Sequence, residues 1–122
     1  MSKRHVETHK KIAVVRAVAS KLHAAEEAID NAIMKLAALN GELPAARLEA
    51  GLSATVCQGA FDSSAQALVA LVQCRKQTIE AHAALYNTQR DMGLAAHAMG
   101  DGWKIFQADE SPPLTLVQSE AA

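Results

Sequence analysis

Apolar residues recur every three or four positions through the first third of the chain, which is the spacing of one face of an α-helix. The predicted seam consists of Val15, Val18, Leu22, Ala25, Ile29, Ala32, Leu36 and Leu39. Its alternating steps of three and four are typical of coiled coils and predict one long helix over about residues 3–40. Asn40 and Gly41 can end this helix, and Pro44 suits the first turn of the next one.

A second helix is predicted over residues 44–59. Its apolar edge recurs at steps of four, at Leu48, Leu52 and Val56. Gly51, Thr55 and Gly59 form an adjacent smooth edge, which would let another helix backbone come close. Gly51 and Thr55 are therefore candidate interaction residues.

A third helix is predicted over residues 63–99, beginning with the capping pair Ser63 and Gln66 and ending before Gly100. Its first apolar stripe supplies six candidate interaction residues, namely Leu71, Cys74, Thr78, Ala81, Leu85 and Met92. A second stripe on a neighbouring face consists of Phe61, Ala65, Leu68, Val72, Ile79, Ala83 and Tyr86. Two stripes indicate two packing partners for this helix.

The middle of the chain is poor in charge, because Asp62 is the only formal charge between Glu49 and Arg75. We expect this stretch, residues 50–74, to pack against several neighbours at once. The fold class is all-α within a single helical domain, residues 1–108. Gly59 marks either a turn or a kink, so an elongated antiparallel hairpin and a three-helix bundle both fit, with coiled-coil-like, Ala-rich packing.

The C-terminal segment, residues 109–122, is predicted to be a short, irregular, flexible tail that is acidic and contains Pro112 and Pro113. Trp103 and Phe106 precede it and hold half of the aromatic side chains of the chain. They are expected to cap the end of the bundle, since large aromatic side chains gain most from burial. The alternative is a short linear motif for another protein.

The formal net charge of −1 hides an asymmetry, because residues 1–21 contain six basic residues and one acidic residue, or +5. Five of these cations share one side of the predicted first helix, namely Lys3, Arg4, Lys10, Lys11 and Lys21. This basic patch is either a solvated helix start or a contact for phosphate, an acidic protein or the acidic tail of the chain itself.

The N-terminus and the two cysteines bear on the compartment. Arg16 interrupts the apolar run that a secretion signal would need, and no apolar run reaches the length of a membrane span. Cys57 and Cys74 lie about 25 Å apart if both are helical, so we expect buried free thiols in a reducing compartment. These features favour a cytoplasmic protein.

The chain shows no local catalytic or metal-binding signature. His5 and His9 stand one helical turn apart, but no convincing third ligand accompanies them. His23 is expected to pair with Glu26 and Glu27, whereas His82 and His97 are isolated in the sequence. Phosphate-binding glycine loops and the common hydrolase motifs are absent from the sequence, so no catalytic residue, cofactor or metal is predicted.

Three hypotheses for function follow from these patterns. The first is a non-enzymatic helical interaction or scaffold protein that forms homo-oligomers or docks on a helical protein partner through surplus apolar helix faces. The second is association with an apolar granule or lipid surface, since the Ala-rich, aromatic-poor composition and the charge-poor centre are similar to those of phasins. The third and weaker one is local binding of nucleic acid or an acidic partner by the basic patch.

Overall fold

Two long helices form an antiparallel hairpin in the computed structural model, which describes residues 2–94. The helix α1 spans Lys3–Glu49 and the helix α2 spans Gln58–Asp91. The described residues contain no strand, which confirms the all-α class and selects the hairpin over the three-helix bundle. Trp103, Phe106 and residues 109–122 lie outside the described residues. The last helix does not run unbroken to residue 99 as predicted, because α2 ends at Asp91 and Gly93 adopts a left-handed conformation.

The predicted break between Asn40 and Pro44 is wrong, because α1 continues through Gly41 and Pro44 to Glu49. Gly41 does not adopt the left-handed conformation that ends a helix. Pro44 lacks the N–H that would bond the Asn40 carbonyl, at a cost of about 3 kcal/mol inside a helix. Leu43 and Arg47 continue the half-buried row of α1 past the proline, and the Arg47 Nη1 donates to the Leu52 carbonyl in the turn at 2.9 Å. Burial and this hydrogen bond favour the continued helix.

Both helices end in the same glycine-dependent motif. At the end of α1, Gly51 has a φ of 64°, its N–H bonds the Leu48 carbonyl, and the Leu52 N–H bonds the Arg47 carbonyl. At the end of α2, Gly93 has a φ of 73°, and the Leu94 N–H bonds the Gln89 carbonyl. These are Schellman motifs, in which a left-handed glycine satisfies the last helical carbonyls.

The chain reverses between Ala50 and Cys57, so the predicted helix over residues 44–59 does not exist as a separate element. Gly51 and Thr55 lie in this turn and not on a helix face, which corrects their predicted role as a smooth packing edge. Gly59 lies inside α2, which begins at Gln58, before the predicted capping pair at Ser63. Residues 44–99 are therefore not one bent rod.

The buried core is small and lies near the open end of the hairpin. Val15, Ala19, Leu22 and Leu94 are the buried apolar residues of the described chain, and Ile12, Leu85 and Tyr86 pack against them. Partly or fully buried positions continue along α1 in alternating steps of three and four, at Ile12, Val15, Ala19, Leu22, Glu26, Ile29, Ile33, Leu36, Asn40, Leu43 and Arg47. We call this row the inner face of α1.

The inner face is rotated from the predicted seam. Val15, Leu22, Ile29 and Leu36 belong to both, whereas the predicted Val18, Ala25 and Leu39 are exposed. On α2, the predicted Leu71, Thr78 and Leu85 are half-buried against α1, while Cys74, Ala81 and Met92 are exposed. Each predicted seam thus divides between the inside of the hairpin and its surface.

The charge-poor stretch of residues 50–74 is not enclosed, contrary to the expectation from its composition. Residues 50–63 are all exposed, and the remainder is at most half-buried. The physical reason is that the described hairpin offers this stretch one neighbouring helix and not several. Thirteen large apolar side chains are exposed in the described residues, and five of them lie in this stretch, namely Leu52, Val56, Phe61, Val69 and Val72.

Candidate interaction surface

Polar contacts between the helices collect on one side of the hairpin. The Arg75 Nε donates to the Asp30 Oδ1 at 2.8 Å, and the His82 Nδ1 lies 2.8 Å from the Glu26 Oε1. The His23 ring meets the His82 ring edge-on at 6.2 Å between centroids, and the His23 Nδ1 is 4.0 Å from the other Glu26 oxygen. We call this the polar side.

These contacts correct the sequence prediction in part. The expected pairing of His23 with Glu26 is confirmed. His82, which is isolated in the sequence, is half-buried and contacts Glu26 across the hairpin, 56 positions away in the sequence. Helical periodicity within one segment cannot predict such a pair. The pair depends on which residues of the two helices lie at the same height along the hairpin.

The Asp30–Arg75 ion pair is expected to add little stability. Both side chains are 52% exposed, so water screens the attraction and side-chain ordering opposes it. A double-mutant cycle with Asp30→Asn and Arg75→Gln, followed by urea denaturation, should give a coupling energy below about 1 kcal/mol. A coupling well above that value would contradict this expectation and would give the polar side a larger share in holding the helices together.

The opposite side of the hairpin is lined by small and apolar residues. Helical spacing places His23 and Asp30 at one edge of the inner face of α1 and Val18, Ala25 and Leu39 at the other edge. On α2, Arg75 and His82 lean towards the first edge, so Cys74 and Ala81 lie at the second. This small-residue side comprises Val14, Val18, Ala25, Ala28, Ala32 and Leu39 on α1, and Ala60, Ala67, Ala70, Cys74, Ala81, Ala84 and Thr88 on α2.

The small-residue side is accessible and nearly free of charge. All its residues are exposed except the half-buried Ala32. The cations Lys21 and Lys35 lie at its outer margin on α1. The α1 residues of this side that lie closest to α2 are all uncharged. Small side chains let a second helix approach closely. Covering them takes little polar surface out of contact with water.

The basic patch begins α1 beyond the end of α2. Lys3, Arg4, Lys10 and Lys11 are all exposed, and Ile12 is the first half-buried residue of the helix. Because Ile12 packs against the cluster that contains Leu94, residues 3–11 extend roughly 14 Å past the last described turn of α2. Lys21 is also exposed and lies on the same helix, ten positions after Lys11.

The described residues offer little for chemistry. No group of three His, Cys, Asp or Glu residues among them could hold a metal ion, and neither helix is long and apolar enough to cross a membrane. A pocket of about 150 Å³ lies at the tip of the hairpin, between Leu43, Arg47, Val56 and Phe61. It brings together no catalytic set.

Both cysteines are free and exposed, which corrects the expectation of buried thiols. Cys57 has a φ of 67° and precedes α2 at the tip, whereas Cys74 lies on the small-residue side. The accessible features of the described hairpin are therefore the small-residue side, further exposed apolar residues of α2, and the basic patch.

Comparison of the chain with protein-family models, curated protein sequences and solved structures gives no match in any of the three.

Proposed function

We propose that this protein is a non-enzymatic helical interaction protein that self-associates through its exposed apolar helix faces. The observation that carries the proposal is the imbalance between four buried apolar residues and thirteen exposed large ones in the described chain. Long helices in water depend on packing of an apolar face more than on intrinsic propensity. A second copy would supply the packing that one hairpin lacks.

The small-residue side is the surface that we propose for this contact, although it contains only Val14, Val18 and Leu39 of the thirteen exposed large apolar residues. It extends along both helices, so two hairpins stacked on it would form a four-helix arrangement with coiled-coil-like packing between copies. Ala at most of the contact positions would permit a short distance between helix axes. A helical protein of another kind could occupy the same surface, which would make the chain an adaptor.

Sedimentation equilibrium of the full chain tests the proposal. Over roughly 1–200 μM, a range that detects micromolar dissociation constants, we expect a mass at least twice that of one chain. A strict monomer at the highest concentration would contradict self-association. If such a monomer floated with protein-free liposomes, the same apolar surface would instead belong to the lipid or granule hypothesis.

A further inference from the structure

The two ends of the hairpin carry opposite net charge. The open end, residues 2–21 with residues 84–94, carries a formal charge of +5, because the cations of α1 outnumber its single acidic residue while Arg90 and Asp91 cancel. The tip, residues 40–66, carries a formal charge of −2, because it contains three acidic residues, Glu42, Glu49 and Asp62, and one basic residue, Arg47. The hairpin is therefore electrically polar along its length.

We propose that two copies stack antiparallel through their small-residue sides, with the tip of each hairpin beside the open end of the other. This inference rests on the proposed self-association. An antiparallel stack places the tip, at −2, beside the part of the open end that contains Arg16 and Lys21, while residues 3–11 extend beyond it. A parallel stack instead places the two +5 ends together, where like charges repel. The symmetry would be a two-fold axis perpendicular to the helices, with identical surfaces in contact.

The small residues of α2 are arranged symmetrically about Cys74. At steps of seven they read Ala60, Ala67, Cys74, Ala81 and Thr88, and Cys74 lies at the middle of Gln58–Asp91. When two α2 helices run antiparallel with their midpoints level, Ala67 faces Ala81 of the second copy and the two Cys74 residues meet at the axis. No charged or bulky residue is covered in this row.

The same axis suits α1. The contacts of Asp30 with Arg75 and of Glu26 with His82 show that Ala32 lies approximately level with Cys74. The small-residue side continues from Ala32 at steps of seven to Val18 and Ala25 one way and to Leu39 the other, and Ala46 lies one further step of seven along the same row. One axis at this level therefore centres both helix pairs.

The two cysteines report the orientation. Cys57 lies at the tip, 17 positions before Cys74, which is about 25 Å along the helix. In the antiparallel stack the two Cys74 thiols are adjacent and the two Cys57 thiols are roughly 50 Å apart. In a parallel stack the tips coincide and the two Cys57 thiols come close. Both thiols are exposed in the hairpin, so both can react.

The experiment uses two full-length variants, Cys57→Ser, which retains Cys74, and Cys74→Ser, which retains Cys57. Each is first confirmed to sediment like the unchanged chain under reducing conditions, and is then treated with a short thiol-to-thiol cross-linker. We expect covalent dimer from Cys57→Ser to exceed that from Cys74→Ser by about tenfold or more, since adjacent thiols react at high effective concentration.

The outcomes distinguish failure of the antiparallel orientation from failure of the self-association on which it rests. Non-covalent dimers that cross-link mainly through Cys57, or through neither cysteine, would overturn the antiparallel stack and leave self-association standing. Strict monomers in both reduced variants and in the unchanged chain would overturn both proposals.

Discussion

The Ala25→Glu chain is expected to be monomeric at concentrations at which the unchanged chain self-associates. Ala25 lies on the small-residue side, and a carboxylate there would have to leave water and enter a row of small side chains when the stack forms. A two-fold interface would contain this change twice. We expect the dissociation constant, measured by sedimentation equilibrium, to rise by about 100-fold or more, which corresponds to about 2.7 kcal/mol.

Ala24→Glu is the matched control for this variant. Ala24 and Ala25 are both exposed in the isolated hairpin, and a glutamate at either position can reach Lys21 one helical turn earlier. Ala24 lies about 100° further round the helix, on the face turned away from α2 and from the small-residue side. Equal weakening of self-association by the two variants would show that the contact does not use this side of α1.

The Leu22→Ala chain is expected to lose about 2–4 kcal/mol of unfolding free energy. Leu22 is 9% exposed and belongs to the small cluster that joins α1 to the end of α2. The total free energy of unfolding of a domain is only about 5–15 kcal/mol. The loss is therefore a large share of the stability of a chain whose described core has four buried apolar residues. Urea denaturation followed by circular dichroism, at low protein concentration, gives the difference directly.

Leu48→Ala is the corresponding control, because it removes the same atoms from the same helix at a residue that is 68% exposed. Leu48 lies neither on the inner face nor on the small-residue side, so its loss should change the unfolding free energy by no more than about 0.5 kcal/mol. If Leu48→Ala were as destabilising as Leu22→Ala, the packing of the described hairpin would not be the main source of its stability.

The sequence was sufficient for the helical class and for the start of the hairpin interface. Steps of three and four require a helix, and the change from apolar to basic residues before Ile12 predicts where packing against α2 begins. Gly51 and Gly93 end the two helices as left-handed glycines commonly do, although the sequence pattern predicted helix through both of them, over residues 44–59 and 63–99. Gly41 and Pro44 gave a competing local signal that the folded chain does not follow.

The position of the reversal is decided by packing between the helices. A glycine and a proline lower the local preference for helix, but Leu43 and Arg47 continue the half-buried row of α1, and Arg47 bonds the Leu52 carbonyl in the turn. The sequence by itself could not show which of these two effects is larger. The helix preference of Gly41 and Pro44 is local, whereas packing depends on a segment found later in the chain. The same limit applies to His82 and Glu26, which meet only after the chain reverses.

By itself, the sequence determined that this chain forms amphipathic helices with a basic beginning, because periodicity and charge are local properties of the chain. Only the tertiary structure decided which stripe of each helix faces the other, because two adjacent stripes fit the same spacing. Ala19, Glu26 and Ile33 face inward, while Val18 and Ala25 remain exposed. That choice is what leaves a small-residue side available at the surface.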